Sequence, residues 1–394
     1  MPVPPQHLGN YGNVSDRYCL PVTEKVECDR SATLDGSFLS QGKETTMQHP
    51  GLRAGLNIVL LVILLLVGSL ASARELWLLV DSGFTGMRAR LVTHNGDGTV
   101  VYSTELSGQG NIAVANTEAP QLFQQVLEGA VNALQGDDQI TQIAIGAAGT
   151  ENVPTLQPFY DSVSAAMNSH GIQAQPLIVQ DFVAAALGAH NGQTGVTVLS
   201  GSGSLAGIVS PDGSILFRLG GYSPHGSSYG HNAFGRYLRT IVCNNYGVRN
   251  GATGFHHRWA SVSGLVRSLE GSAGEGIDQL MRYPDHWNGF SQIQFGKRVR
   301  VAYLQARYPD PIADEVICMA VTALVAQLRE LRQMARNNWP ANLAITGSAG
   351  DALIPLLQPH LASLNLTLQP RPGPDVHFEG LRHLIRNHRR RQHQ

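Results

Sequence analysis

Short apolar segments alternate with amphipathic stretches from residue 76 onward, which predicts a fold of alternating strands and helices. Three strand-like segments come first, and helical and strand-like periods then alternate to residue 189. A second series opens with three more strand-like segments and is mainly helical from about 232 to 337. The predicted strands are 76–80, 88–94, 100–104, 142–147, 176–179, 196–199, 206–209, 215–218 and 343–346. The predicted helices of the first series are 120–134, 156–168 and 182–189.

The same order of elements therefore occurs twice along the chain. Residue identity between the two series is low, so the repeat is inferred from the order of elements rather than from matching letters. We predict an α/β protein with two similar lobes around a central cleft, over 75–190 and 191–386.

The region before residue 74 has a different character. Residues 1–54 are rich in Pro, Gly, Ser, Thr and charge, which predicts a disordered tail. The apolar segment 55–73 is near the lower length limit for a transmembrane helix, and its ASA ending at Ala73 resembles a signal-peptidase site. Three interpretations stay open: a single-span membrane tether with a cytoplasmic catalytic part, an exported protein, or an over-extended gene start.

Composition narrows the classes of partner. The chain is 43% hydrophobic and 14% charged, with a net charge of -1, which gives no reason to expect nucleic-acid binding. Its four cysteines include no CxxC pair, so neither a zinc ribbon nor a disulfide framework is predicted. The basic end, 387–394, is predicted to be a solvated tail.

Two glycine turns follow apolar strands. The first glycine turn, at 81–86, reads DSGFTG, and the second, at 199–204, reads LSGSGS. Glycine lets backbone amides approach a phosphate, hydroxyls add donors, and Asp81 could orient a hydrated metal ion. Each turn alone is also compatible with an ordinary hairpin. Because one turn opens each lobe, we favour a shared phosphate site.

Two carboxylates follow later strands of the first lobe. Glu151 lies after the strand at 142–147, and Asp181 lies between the strand at 176–179 and the next helix. The ends of such strands converge on one edge of an α/β sheet, so both groups could face the cleft and one could accept a proton from a sugar hydroxyl. Alternatively, Asp181 simply caps the helix that begins at Phe182.

Several segments in this order carry a family resemblance. They are DSGFTG, GNIAV, GAAGTE, VQDFVAAALGAH, LSGSGSLAG, GG at 220–221 and TGSAGD. Together, over 76–386, they resemble the N-acetylglucosamine and glucosamine kinases, in the BadF/BadG/BcrA/BcrD-type ATPase group of the sugar kinase, Hsp70 and actin superfamily. The resemblance implies two ribonuclease H-like (actin-like ATPase) lobes and a kinase that uses ATP and Mg²⁺ to phosphorylate an amino sugar. It leaves a homodimer open.

Site residues follow from the resemblance by position. It implies a first phosphate loop formed by Asp81, Gly83 and Thr85, with Asp81 positioning Mg²⁺ through water. It implies a second phosphate loop formed by Gly201, Ser202 and Gly203, and an adenosine-facing segment formed by Gly347, Ser348 and Ala349. It further implies that Glu151 is the general base, that Asp181 is a second sugar-binding carboxylate in the catalytic centre, and that Asn111 contacts the amino sugar.

The chain also departs from this family. Ser82 and Phe84 replace two glycines of the usual first loop, and the stretch 222–231 lacks the acidic loop that normally follows the GG pair. These departures motivate a second hypothesis, a non-catalytic sugar or nucleotide sensor on the same fold. A third hypothesis, an ATPase that activates a dehydratase through an iron–sulfur cluster, is less favoured because Cys243 and Cys318 lack the necessary spacing.

Overall fold

The computed structural model describes residues 74–94, 98–113, 117–151, 153–221, 228–246, 265, 289–305, 310–392 and 394. The predicted tail and apolar segment before residue 74, and the stretch 222–227, lie outside the described residues.

Ten strands and nine α-helices are described. The strands are β1 (Glu75–Gly83), β2 (Gly86–Thr93), β3 (Val100–Ser107), β4 (Gln139–Ala147), β5 (Leu177–Gln180), β6 (Gly195–Ser200), β7 (Ser204–Val209), β8 (Ile215–Gly220), β9 (Asn342–Thr346) and β10 (Thr367–Leu368). The helices are α1 (Ala119–Asn132), α2 (Val153–Ser169), α3 (Asp181–Ala189), α4 (His231–Tyr246), α5 (Gly289–Gln305), α6 (Pro311–Ala335), α7 (Ile354–Leu357), α8 (Leu361–Leu364) and α9 (Val376–Gln392). Short 3₁₀ turns occupy Arg336–Asn338, Gly350–Ala352 and Gln358–His360.

The strands form two five-stranded sheets with the same topology. The first sheet has the order β3-β2-β1-β4-β5, and the second has the order β8-β7-β6-β9-β10. In each sheet the first three strands are antiparallel, and the remaining two join in parallel. This arrangement confirms the predicted α/β class and the two similar lobes.

Strand β1 is apolar throughout residues 76–80 because both of its faces are covered. One face packs with α1 and α2, and the other packs with α9. Leu76, Leu78 and Val80 belong to the first cluster, and Trp77 and Leu79 belong to the second. The carboxyl end of β1 is thereby held rigidly where the first glycine turn begins.

Helix α6 is the central helix of the second lobe. Asp310 caps it by accepting hydrogen bonds from the backbone N–H groups of Ile312 and Ala313, both at 3.1 Å. Within the described part of the chain, Pro311–Asn338 is the only helical stretch that passes a length and hydropathy test for a membrane span. Its apolar face lies in the main hydrophobic cluster of the second sheet, which accounts for that composition.

The final helix, α9, returns to the first sheet and packs on α3, β1 and β4. Residues 387–392 are its last turns, and residues 390–392 are exposed, so this basic end continues a helix and does not form a separate segment. Arg389 pairs with Glu75 at 3.1 Å, and Arg391 pairs with Asp212 at 3.4 Å. The lobe limits at 190 and 386 stay a prediction. They assign most of α9 to the second lobe, although α9 packs on the first sheet.

Helices α3 and α9 cross at two glycines with their backbones in contact. A Cβ atom added at Gly380 would lie 1.8 Å from the carbonyl oxygen of Ala184, and one at Gly188 would lie 1.8 Å from that of Val376. A backbone oxygen cannot rotate away, so the crossing requires glycine at both positions.

Gly380→Ala is expected to lower the free energy of unfolding by about 3 kcal/mol, because α9 must move away from α3 to admit the methyl group. Urea denaturation followed by circular dichroism measures the change. The control is Gly373→Ala, where the added Cβ meets no atom within 4 Å. Equal unfolding midpoints for the two variants would contradict the crossing geometry.

Candidate functional site between the two sheets

The carboxyl ends of β1, β4 and β5 lie side by side in the first sheet. Ser82 on β1 is opposite Ala147 on β4, and Ala147 is opposite Gln180 on β5. The first glycine turn begins at the end of β1, Glu151 lies four residues beyond the end of β4, and Asp181 follows β5 directly. The predicted convergence of the carboxylates on one edge is therefore observed.

Asp181 is the most strongly perturbed carboxylate of this edge. Burial raises its pKa to about 6, the charge of His377 opposes that rise, and the charges of Asp81 and Glu151 add to it. Its Oδ1 atom also accepts a hydrogen bond of 2.8 Å from the N–H of Phe182 at the start of α3. The alternative, that Asp181 caps a helix beginning at Phe182, is wrong: the helix begins at Asp181 itself, and its N-cap residue, Gln180, makes no side-chain capping bond.

Asp81 is held by an ion pair. Its Oδ2 atom accepts from both Nε, at 3.2 Å, and Nη2 of Arg88, its partner across β1 and β2. Nδ1 of His377, on α9, lies 3.8 Å from the same oxygen. No group of three or more His, Cys, Asp or Glu side chains in the described ranges is placed to hold a metal ion. Asp81 is thus already paired with Arg88, and its role in positioning Mg²⁺ through water stays a prediction.

Glu151 is contacted from the second sheet. Its Oε1 atom lies 3.2 Å from Nη2 of Arg218, which stands on β8, and its Oε2 atom accepts from Nε2 of Gln180 at 3.4 Å. Arg218 Nη1 also donates to Oε1 of Gln180 at 3.1 Å. Arg218 was not predicted to be a site residue. It is the lone charged residue of the strand ILFRLG, and this feature could have identified it.

Asn111 lies beside the segment that carries Glu151. Its Oδ1 atom accepts from the N–H of Ala113 at 2.9 Å, and Ile112 N–H donates to the Ala148 carbonyl at 3.1 Å. A Cβ atom at Gly149 would lie 2.4 Å from Asn111 Oδ1. The structure thus brings Asn111 to the same edge as Glu151, as the resemblance implied.

In the second glycine turn the carbonyl oxygens already accept hydrogen bonds, whereas two of the N–H groups have no acceptor among the described residues. The Gly201 and Ser202 carbonyls accept from the N–H groups of His231 and Asn232, at 2.9 and 3.0 Å, and the Gly203 carbonyl accepts from Gly201 at 3.0 Å. The N–H groups of Ser202 and Gly203 have no acceptor among the described residues. Added Cβ atoms at Gly201 and Gly203 meet nothing within 4 Å. Such a turn fits an anionic phosphate group.

Ser82 and Ser200 occupy corresponding positions in the two lobes. Ser82 Oγ donates to the Gly110 carbonyl at 2.7 Å, and Ser200 Oγ donates to the Tyr229 carbonyl, also at 2.7 Å. Both serines are fully buried and each ties its strand end to the loop after the third strand of its sheet. Ser82, which departs from the family pattern, thus has an anchoring role that the second lobe repeats.

The segment 347–349 lies against the strand that leads into the second glycine turn. Ala349 N–H donates to the Ser200 carbonyl at 2.8 Å, just as Ala148 N–H donates to the Ser82 carbonyl at 2.9 Å in the first lobe. Gly347 has φ +87, and a Cβ atom there would lie 2.4 Å from Ser200 O. The two predicted nucleotide segments of the second lobe are therefore neighbours.

The first glycine turn is a tight hairpin in which Gly83 pairs with Gly86. Phe84 and Thr85 form its tip, where Thr85 is exposed and Phe84 is partly buried. The hydroxyl group of Thr85 is thus accessible to a ligand, and the departure at Phe84 lies at the same tip.

No protein-family model matches the chain, and no curated protein is significantly similar to it. Two solved structures, both described provisionally as N-acetylglucosamine kinases, are similar. The protein from Chromobacterium violaceum is 24% identical with a TM-score of 0.59, covering 79% of this chain and 99% of its own. The protein from Porphyromonas gingivalis is 15% identical with a TM-score of 0.54, again covering 79% and 99%. This chain shares the fold of these two proteins. At these identities the likeness extends to the fold alone.

Proposed function

We propose that this protein is an ATP-dependent kinase that phosphorylates a hydroxyl group of glucosamine or N-acetylglucosamine. The observation that carries the proposal is the second glycine turn, whose carbonyl oxygens already accept backbone hydrogen bonds and whose Ser202 and Gly203 N–H groups have no acceptor among the described residues. It belongs to the same two-lobed fold that places Glu151, Asp181 and Asn111 on one edge of the first sheet. The provisional description of the Chromobacterium violaceum protein agrees with an amino-sugar substrate.

In this proposal the second lobe binds the nucleotide. The N–H groups of Ser202 and Gly203 donate hydrogen bonds to phosphate oxygens, and the segment 347–349 lies along the adenosine. Gly83 and Thr85 of the first glycine turn contact the phosphates from the other lobe. ATP is the phosphoryl donor. A Mg²⁺ ion, if bound, would be positioned by Asp81 through water and would supply charge neutralisation on the phosphates.

The first lobe then holds the sugar and handles its proton. Asn111 and Asp181 bind and orient the sugar, and Glu151 accepts the proton of the attacking hydroxyl group. The hydroxyl oxygen forms a bond to the γ-phosphorus while the bond from that phosphorus to the β–γ bridging oxygen breaks, leaving ADP. Approach of the lobes excludes water and so limits ATP hydrolysis.

A non-catalytic sensor is the second candidate. Two observations favour it: Arg88 is paired with Asp81, the residue expected to orient the metal ion, and Phe84 stands at the tip of the first glycine turn. If Asp81 stays paired with Arg88 when the nucleotide binds, the site binds its ligands without transferring a phosphoryl group.

We further place the catalytic part in the cytoplasm, because ATP is supplied there, with segment 55–73 as a single-span tether if that segment is retained. Mass determination of the native N-terminus tests whether this segment is present in the mature protein.

Transfer of labelled phosphate from ATP to a panel of sugars tests the kinase. Glucosamine, N-acetylglucosamine, N-acetylmannosamine and glucose form the panel, and calorimetry measures the binding of each. We expect product with an amino sugar at a higher kcat/KM than with glucose. Binding without product supports the sensor, and neither binding nor product from a folded protein rejects both candidates.

A further inference from the structure

Arg218 joins the two sheets through all three of its guanidinium nitrogens. Nε stays on its own lobe and donates to the Gly220 carbonyl at 3.3 Å. Nη1 and Nη2 cross to the first sheet, where they donate to Gln180 at 3.1 Å and to Glu151 at 3.2 Å. One planar group therefore links β8 to the ends of β4 and β5.

The guanidinium group is largely withdrawn from water. Its side chain is 9% exposed, whereas that of Glu151 is 34% exposed. A buried cation needs a charged or hydrogen-bonded partner, and Glu151 and Gln180 provide it from the opposite lobe. Separation of the lobes would remove both partners, so this contact favours the closed arrangement.

The glycine pair after β8 makes room for this side chain. Gly220 supplies the carbonyl that receives Nε, and a Cβ atom on Gly221 would lie 2.6 Å from Nη2. Gly221 also has φ +76, a conformation that side chains rarely adopt. Glycine at 220–221 is thus explained without a phosphate contact, because it leaves room for the guanidinium group of Arg218.

We propose that Arg218 is a positioning residue that couples the approach of the lobes to the orientation of Glu151. This inference rests on the proposed kinase function, because it assigns Glu151 the task of accepting the sugar proton. When the lobes meet, Nη2 fixes the Glu151 carboxylate through Oε1, and Gln180 holds Oε2. When the lobes part, the carboxylate is free to turn away, so proton acceptance occurs in the closed arrangement.

A lysine does not replace this arginine. The ammonium group of lysine is a single point charge, whereas the fixed fork of arginine serves Glu151, Gln180 and Gly220 in one plane. The proposal therefore predicts a graded series, in which Arg218→Lys retains the charge but loses the orientation.

The decisive measurement is the distance between the lobes, which does not depend on turnover. Nitroxide labels at Asp137→Cys on the first lobe and Glu330→Cys on the second, both exposed positions, report it by pulsed electron resonance in a chain without its native cysteines. Arg218→Ala is expected to shift the distances upward and to broaden their distribution. Arg332→Ala is the matched control, since its guanidinium group donates to the Ser363 carbonyl away from the cleft.

Kinetics then separate positioning from a purely structural effect. Arg218→Ala is expected to lower kcat by about 100-fold and to change KM for ATP by less than about threefold, because a misplaced base slows transfer without weakening nucleotide binding. Methylguanidinium added to Arg218→Ala is expected to restore part of kcat, and Arg218→Lys is expected to stay low.

Two outcomes overturn the inference. One is an unchanged distance distribution in Arg218→Ala, and the other is a kcat within about twofold of the wild type, since a base that has lost its orientation must slow transfer. If the distance lengthens but the wild-type protein phosphorylates no sugar, the bridge between the lobes stands and the kinase proposal falls.

Discussion

Glu151→Gln is expected to lower kcat for sugar phosphorylation by about 10²–10⁴-fold while KM for ATP stays nearly unchanged. The amide has the shape of the carboxylate and can still accept a hydrogen bond from Arg218, but it cannot take the proton of the sugar hydroxyl. Glu151 is not among the residues assigned to the nucleotide, and the substitution keeps the size of the side chain, so ATP binding should change little.

Steady-state kinetics with the preferred amino sugar measure the effect. Glu128→Gln is the control, because Glu128 is exposed on α1, where its side chain accepts a hydrogen bond from Gln124 on the same helix. A kcat for Glu151→Gln within about threefold of the control would mean that another group accepts the proton.

Asp181→Asn is expected to stabilise the protein at neutral pH and to weaken sugar binding. The pKa of Asp181 rises from 3.8 to about 6 on folding, so the folded state takes up its proton first. Its burial penalty is therefore absent below about pH 4 and grows as the pH rises through 6, where it amounts to about 1–3 kcal/mol. Asparagine carries no charge and keeps an oxygen that can accept from the Phe182 N–H group.

Urea denaturation at several pH values from 4 to 8 tests this. The gain of Asp181→Asn over the wild type should be smallest at pH 4 and largest at pH 8, while Asp161→Asn, on the exposed face of α2, should show no such trend. A gain that is equal at every pH would show that desolvation of the Asp181 charge is not its cause.

The same substitution separates stability from function. Calorimetry should show sugar affinity falling by roughly 10–100-fold, the loss expected for a hydrogen bond to a charged group. A carboxylate kept beside Asp81 and Glu151 at a cost to stability is typical of a binding or catalytic site. An Asp181→Asn protein that is more stable and still binds the sugar with wild-type affinity would remove Asp181 from the sugar site.

Much of the fold was accessible from the sequence because its signals are local. Period-two and apolar runs place the strands, and the glycines that follow them mark the turns, so the order of elements along the chain and the paired lobes were predicted before any contact was known. The strand β10 was missed because it has only two residues, too few to carry a period.

The charged contacts were decided by the tertiary structure. Arg218 meets Glu151 across 67 positions of the chain, and Arg389 meets Glu75 across 314. A basic run at the end of a chain predicts a solvated tail when its acidic partners are not known. Here the partners are Glu75, on the first strand, and Asp212, in the turn between β7 and β8.

The sequence by itself determined the two-lobed α/β class, the two glycine turns, and the candidates Glu151 and Asp181, because each depends on residues near one another in the chain. Asn111 was a candidate only through the family resemblance. Only the tertiary structure decided that Ser82 is an anchor, that Asp81 is paired with Arg88, and that Arg218 bridges the lobes. The physical reason is that periodicity reports which face of an element is buried, whereas charge pairing and desolvation depend on which distant elements cover that face.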